Sequence, residues 1–137
     1  MTLVLDSSVT VAWLFRDEQT EAVREVLGAV TQSGAVVPPL WRIEVANALQ
    51  VAIRRGRIDR NYRDASITDL SFLDIVGDGE SDRHVWGTTL NLADRFGLTL
   101  YDAVYLELAQ RLALPLASLD RQLPDAGSAL GLTLLGA

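Results

Sequence analysis

Short apolar runs alternate with segments of helical periodicity along this 137-residue chain. TLVLD near the N-terminus has the unbroken apolar character of a buried strand, whereas EAVREVLGAV repeats its apolar positions every three or four residues, as a helix does. Strands are predicted at TLVLD (2–6), AVV (35–37), FLDIV (72–76), LAS (116–118) and LTLL (132–135). Helices are predicted at 7–16, 17–30, 40–55, 59–70, 85–96, 100–113 and 120–131.

Regular alternation of strands and helices is typical of an α/β fold. It predicts a five-stranded parallel sheet with helices on both faces. The length suits one domain over residues 1–137. The longest apolar runs fall well short of the roughly 20 residues that cross a bilayer, and the N-terminus lacks the features of a signal peptide. We therefore expect a cytoplasmic protein with no membrane contact.

The composition limits the chemistry of any site. Cysteine is absent and His84 is the only histidine, so a metal site would need oxygen ligands, which suit Mg²⁺ or Mn²⁺. A net charge of -6 argues against a generic nucleic-acid binder. All 12 basic residues are arginine, however, and five lie in RRGRIDRNYR at 54–63. This cluster, with Arg54, Arg55 and Arg57, is either a solvated helix end or a surface that contacts phosphates.

Four acids occupy related positions in the predicted fold. Asp6 ends the first strand and Asp120 follows the LAS strand, while Glu44 and Asp102 lie near the starts of helices that follow strands. All four therefore point towards the carboxyl edge of the sheet, where ligands bind in such folds. Carboxylates that converge raise one another's pKa, and a divalent cation would relieve this conflict.

Helix capping is the competing interpretation of these acids. Asp6 precedes a helix, Thr99 with Asp102 fits a capping box, and Asp120 precedes a short helix. Glu44 has no capping role, and Asn47 follows it on the same helix as a supporting polar residue. The residues alone leave a metal site and a set of caps equally open.

Four sequence motifs favour the metal site over the set of helix caps. VLDSSVTVAWL, EVANAL, YDAVYLELA and SLDRQL resemble, in order and spacing, the motifs of the PIN-domain ribonucleases, and above all those of the VapC-type toxins. The resemblance extends over essentially the whole chain. It implies a metal-dependent endoribonuclease that is the toxin of a type II toxin–antitoxin pair.

The resemblance also implies particular roles and partners. Its acids fall on Asp6, Glu44, Asp102 and Asp120, with Ser8 and Ser118 as polar neighbours. We expect Asp6, Asp102 and Asp120 to bind Mg²⁺ or Mn²⁺, and Glu44 to be a ligand or to orient the attacking water. The implied partners are an RNA substrate, a cognate antitoxin and a second copy of the chain. Many relatives carry threonine where this chain has Ser118, which keeps the hydroxyl, and the absence of lysine leaves RNA contacts to arginine.

The sequence argues against two other classes of function. A receiver domain resembles this fold but depends on a lysine, and a Ser-His-Asp hydrolase would need His84, which has no nucleophile-elbow motif nearby. GDG at 77–79 is a turn rather than a phosphate loop. A PIN-like module that binds RNA or protein without cutting, and a housekeeping RNA-processing nuclease, remain as alternatives.

Overall fold

Five short strands form one parallel sheet. In the computed structural model, which describes residues 2–137, the strands are β1 (Leu3–Leu5), β2 (Ala35–Val37), β3 (Ile75–Gly77), β4 (Leu116–Ala117) and β5 (Leu134–Leu135). Their order is β3-β2-β1-β4-β5, and all neighbouring pairs are parallel. The predicted α/β class with a five-stranded parallel sheet is confirmed.

Seven α-helices connect and cover the strands. They are α1 (Ser7–Leu14), α2 (Glu21–Ser33), α3 (Leu40–Arg54), α4 (Arg60–Ser71), α5 (Leu90–Phe96), α6 (Leu100–Leu112) and α7 (Gln122–Ala129). A 3-10 turn at Arg16–Glu18 follows α1, and another at Asp82–His84 precedes a π-helical turn at Val85–Thr89. Within residues 2–137, no helix has the length and apolar character needed to span a membrane.

Strand β1 lies at the centre of the core. Leu3, Val4 and Leu5 are each at most 1% exposed, although consecutive strand residues point to opposite faces of a sheet. Both faces of β1 are therefore covered. This explains why the strand sequence is continuously apolar rather than alternating.

The predicted strand FLDIV begins later than its apolar pattern indicates. Phe72 is 82% exposed, and its backbone N–H bonds the Asp69 carbonyl in the turn that closes α4. The Asp74 carbonyl accepts a hydrogen bond from Ala35, and the pairing of β2 with β3 starts at Ile75. The apolar run is therefore misleading at Phe72 and Leu73, which belong to the turn at the end of α4.

The helix predicted at 85–96 is also different in the structure. Its first half is the π-helical turn, and regular α-helix begins only at Leu90. The buried hydroxyl of Thr89 has no hydrogen-bond partner in the described part of the chain. Gly97 closes α5 in the left-handed conformation, with φ of 64°, as expected for a glycine after a helix end.

A partly buried ion-pair network joins α6 to the end of β3. Arg111 Nε lies 2.7 Å from Glu107 Oε1, and Arg111 Nη2 lies 2.7 Å from Asp78 Oδ2. Glu107 is 2% exposed, and its Oε1 is 4.0 Å from His84 Nε2. The single histidine thus accompanies this structural network, which argues against the Ser-His-Asp hydrolase.

Candidate active site

Asp6 leaves the carboxyl end of β1 and is almost fully buried, at 4% exposure. It occupies the N-cap position of α1, yet its side chain makes no capping hydrogen bond. Instead, its Oδ2 accepts hydrogen bonds from Ser8 Oγ at 2.7 Å and Ser118 Oγ at 2.8 Å. Burial raises the pKa of Asp6, the two serine hydroxyls oppose the rise, and the negative charge of Asp120 adds to it.

The same two serines fix the loop that follows β4. Ser8 Oγ accepts from the backbone N–H of Leu119 at 3.0 Å, and Ser118 Oγ accepts from the N–H of Asp120 at 3.0 Å. Each hydroxyl therefore accepts a hydrogen bond from a backbone N–H of the loop and donates one to Asp6 Oδ2. The loop carrying Asp120 is held against the end of β1 by both contacts.

Asp102 faces Asp120 across the edge of the sheet. The cap of α6 is Thr99, whose Oγ1 accepts from the Asp102 N–H at 3.2 Å, so the Asp102 carboxyl is not required for capping. Burial raises the pKa of Asp102 to about 6, assisted by the charge of Asp120, by a hydrogen bond with its side chain, and by the charge of Asp6. Asp120 does resemble a cap in part, since its Oδ1 accepts from the Gln122 N–H at 2.9 Å.

Glu44 projects from the second turn of α3 and is half-buried. Its Oε1 accepts hydrogen bonds from Tyr105 Oη at 2.6 Å and from Ser7 Oγ at 3.2 Å. Burial raises the pKa of Glu44, Tyr105 opposes the rise, and the charge of Asp6 adds to it. Sequence reasoning missed both donors. The available signals were that Tyr105 lies three residues after Asp102, on the same face of α6, and that Ser7 adjoins Asp6.

An open cleft of about 430 Å³ lies beside these acids. Asn47 borders it with an exposed side chain, as does Glu18 from the 3-10 turn after α1, a further acid that sequence analysis did not identify. The residues that line it are Ser7, Ser8, Val11, Glu18, Glu44, Asn47, Ala48 and Leu119. The cleft gives an extended ligand access to Glu44 from solvent.

The four predicted acids are brought to one region by four separate segments. Their charges are coupled, since Asp6 and Asp120 raise the pKa of Asp102, and Asp6 raises that of Glu44. In residues 2–137, no three His, Cys, Asp or Glu side chains stand close enough together to hold a metal ion as they are arranged. The chemistry of the side chains nevertheless suits a cation, because carboxylate and hydroxyl oxygens are the ligands that a hard divalent ion prefers.

The predicted RNA-contacting arginines differ in their surroundings. Arg57 Nη2 lies 3.3 Å from Asp17 Oδ1 and 3.8 Å from Glu18 Oε2, and the guanidinium stacks 4.4 Å from the centre of the Phe15 ring. Through Glu18 it adjoins the cleft beside Glu44. Contact with RNA remains a prediction for all three arginines.

Arg54 and Arg55 lie further away, at the end of α3. Both are exposed, and neither guanidinium group has a hydrogen-bond or ion-pair partner among the residues that the structure describes. Arg54 follows Glu44 by ten residues, which places it about 15 Å along the helix axis. A nucleic-acid strand that reaches Glu44 along α3 would therefore pass these two free cations.

Known proteins resemble this chain in sequence and in fold. Ribonuclease VapC3 from Pyrobaculum aerophilum is 29% identical over 125 residues, which is 91% of this chain and 94% of that protein. Among solved structures, the crystal structure of PAE2754 from Pyrobaculum aerophilum has a TM-score of 0.68 at 23% identity, covering 92% of this chain and 84% of the other.

Two further structures share the fold at lower identity. A toxin–antitoxin complex from Klebsiella pneumoniae has a TM-score of 0.58 at 16% identity, with 86% of each chain covered. VapBC2 from Rickettsia felis, bound to a DNA fragment from its promoter, has a TM-score of 0.66 at 12% identity and covers 98% of this chain and 97% of the other. The PIN domain family matches residues 3–128, and the chain therefore belongs to the PIN-domain family.

Proposed function

We propose that this PIN domain is a divalent-metal-dependent endoribonuclease. The observation that carries the proposal is the coupled acid cluster at the carboxyl edge of the sheet, in which Asp6, Glu44 and Asp102 all have raised pKa values. Groups perturbed by burial and by one another are characteristic of functional sites. The name of the similar VapC3 protein, a ribonuclease, supports RNA as the substrate.

Asp6, Asp102 and Asp120 are the proposed ligands of Mg²⁺ or Mn²⁺. Asp6 accepts both serine hydroxyls on Oδ2, and no side chain of residues 2–137 donates to its Oδ1. Bound there, the ion would lower the pKa of a water molecule and offset the charge that develops on the phosphate during an in-line displacement. The positive charge of the ion would offset the repulsion between Asp102 and Asp120, which adds to the effect of burial on the pKa of Asp102.

Glu44 is the proposed group that orients the attacking water or completes the ligand set. Its Oε2 accepts no hydrogen bond from residues 2–137, because both donors bond Oε1. Burial also raises the pKa of Glu44, which makes its carboxylate a stronger base for a proton from water. The expected products carry a 5′-phosphate and a 3′-hydroxyl.

The proposed biological role is that of a toxin held in check by a protein antitoxin. It is supported by the two structural neighbours described as a toxin–antitoxin complex and as VapBC2. Dimerisation and a cytoplasmic location belong to the same proposal. A short neighbouring reading frame that encodes a DNA-binding protein, and whose product suppresses cleavage, would support the toxin over a housekeeping nuclease.

RNA cleavage by the purified chain tests the enzymatic proposal. We expect cleavage with Mg²⁺ or Mn²⁺, none after treatment with EDTA, and recovery when the ion is restored. Asp6→Asn should reduce the rate by orders of magnitude, whereas Asp69→Asn, an exposed acid on α4, should leave it unchanged. Full cleavage by the EDTA-treated protein would refute metal dependence, and RNA binding without cleavage under any of these conditions would favour the non-cutting module.

A further inference from the structure

Glu44 is held by two hydroxyl groups that come from different helices. Tyr105 Oη on α6 and Ser7 Oγ on α1 both donate to its Oε1, at 2.6 and 3.2 Å. We refer to this pair of donors, Tyr105 and Ser7, as the Glu44 clamp. The clamp joins α1, α3 and α6, the helices that carry or adjoin Asp6, Glu44 and Asp102.

The clamp acts on one oxygen of the carboxylate only. With two donors fixed on Oε1, the plane of the carboxylate is set and Oε2 becomes the oxygen left for the site. A single donor would permit rotation about the terminal bond, whose torsion is soft in glutamate. Two donors from different helices restrict this rotation.

Tyr105 donates its hydrogen bond to Glu44 from a buried position. It is 1% exposed, so packing restricts its ring to one position. Burial raises the pKa of Tyr105 far above its usual range, and the hydrogen bond and charge of Glu44 raise it further. In the structure the phenol donates its hydrogen bond to Oε1 of Glu44.

We propose that Tyr105 is a positioning residue, which aims Oε2 of Glu44 at the metal and water site through the Glu44 clamp. This proposal rests on the function proposed above. It assigns to Tyr105 no contact with RNA and no proton transfer. Residues that orient a ligating or catalytic carboxylate in this way typically account for about 10- to 100-fold in metal affinity or activity.

Tyr105→Phe removes the hydroxyl and retains the ring. Its matched control is Tyr101→Phe, which alters a tyrosine one turn earlier on α6 that is 62% exposed. For Tyr105→Phe we expect a kcat about tenfold lower or more, with KM for RNA within twofold of the parent. In calorimetric titration of the RNA-free protein with Mn²⁺, we expect the Kd to rise several-fold. Tyr101→Phe should change neither quantity.

A double-mutant cycle separates positioning from a general effect on the fold. In a Glu44→Gln background, Tyr105→Phe should lower kcat by less than twofold, because the carboxylate that it orients is gone. Ser7→Ala, which removes the other donor at the start of α1, should give a smaller change of the same sign. It also keeps the proposal testable should Tyr105→Phe fail to fold.

The two proposals fail in different ways. If the parent protein cleaves RNA but Tyr105→Phe matches Tyr101→Phe in kcat and in Mn²⁺ affinity, or if the effects of Tyr105→Phe and Glu44→Gln multiply in full, the positioning role is refuted while the nuclease stands. If the parent does not cleave RNA, the proposed function fails on that result alone, and the Mn²⁺ titration still decides whether Tyr105 orients Glu44.

Discussion

Replacement of Asp102 by asparagine should stabilise the metal-free protein. Burial, and then the charge and hydrogen bonding of Asp120, raise the pKa of Asp102 from 3.8 to about 6. A carboxyl group whose pKa is raised on folding binds protons more tightly in the folded state, so stability falls as the pH rises between these two values. The penalty is absent below pH 3.8, complete above about pH 6, and removed by a neutral asparagine.

The size of this effect follows from the two pKa values. At about 1.4 kcal/mol for each tenfold change in acidity, the difference amounts to about 3 kcal/mol without solvent screening. Asp102 is only half-buried, so a discount of one half leaves about 1.5 kcal/mol. For a chain of this length that corresponds to a rise of about 5 °C in Tm. The Thr99 cap is retained in the variant, because Thr99 accepts from the backbone N–H of residue 102.

Thermal unfolding with and without Mn²⁺ provides the assay. At pH 7.5 without metal, Asp102→Asn should melt at a higher temperature than the parent, and near pH 4 the two should converge. Mn²⁺ should then stabilise the variant less than the parent, because ligand-induced stabilisation depends on affinity. Asp69→Asn, the matched exposed acid, should follow the parent throughout. A variant that melts at or below the parent at pH 7.5, or that keeps the full Mn²⁺-induced shift, would refute the reasoning.

Two further predictions concern the arginines. Reversal of Arg54 and Arg55 to glutamate should weaken RNA binding without a change in Mn²⁺ affinity. If each arginine contacts one phosphate of a single strand, the slope of log K against log salt concentration should fall by about 1.4. An unchanged slope would mean that the cluster is only a solvated helix end. Arg111→Met should lower the free energy of unfolding by about 3 kcal/mol in urea titrations, because it removes the guanidinium that bonds the buried carboxylate of Glu107. Arg24→Met on the exposed face of α2 is the control, and equal stability of the two variants would contradict the role assigned to the network.

The fold could be predicted largely because strand and helix patterns differ so clearly in this sequence. AVV at 35–37 coincides with β2, and Gly97 ends α5 where predicted. The apolar pattern gave wrong element boundaries where apolar residues do not follow the backbone geometry that the pattern assumes. Phe72 reads as part of a strand but lies exposed at the end of α4, and the π-helical turn before α5 has no counterpart in a pattern that assumes 3.6 residues per turn.

The positions of the acids could be predicted for a topological reason. Carboxyl ends of parallel strands share one edge, which brings Asp6 and Asp120 together without any knowledge of packing. The partners of Glu44 could not be found in this way. Tyr105 is 61 residues away from it along the chain, and their contact depends on how α3 and α6 approach each other, which local periodicity does not encode.

The serine contacts at Asp6 also determine the stage of protein synthesis at which the acid cluster can form. Ser118 donates to Asp6 across 112 residues of chain, and Asp6 accepts nothing from Ser118 until β4 has paired with β1. During synthesis, β1, β2 and β3 leave the ribosome well before β4, and long-range pairings form late in folding. A nascent chain that has reached β3 holds Asp6 and Glu44 but neither Asp102 nor Asp120. The complete acid cluster therefore arises only after synthesis has passed Asp120 and β4 has paired with β1, so the proposed nuclease site is absent while the first three strands are being made.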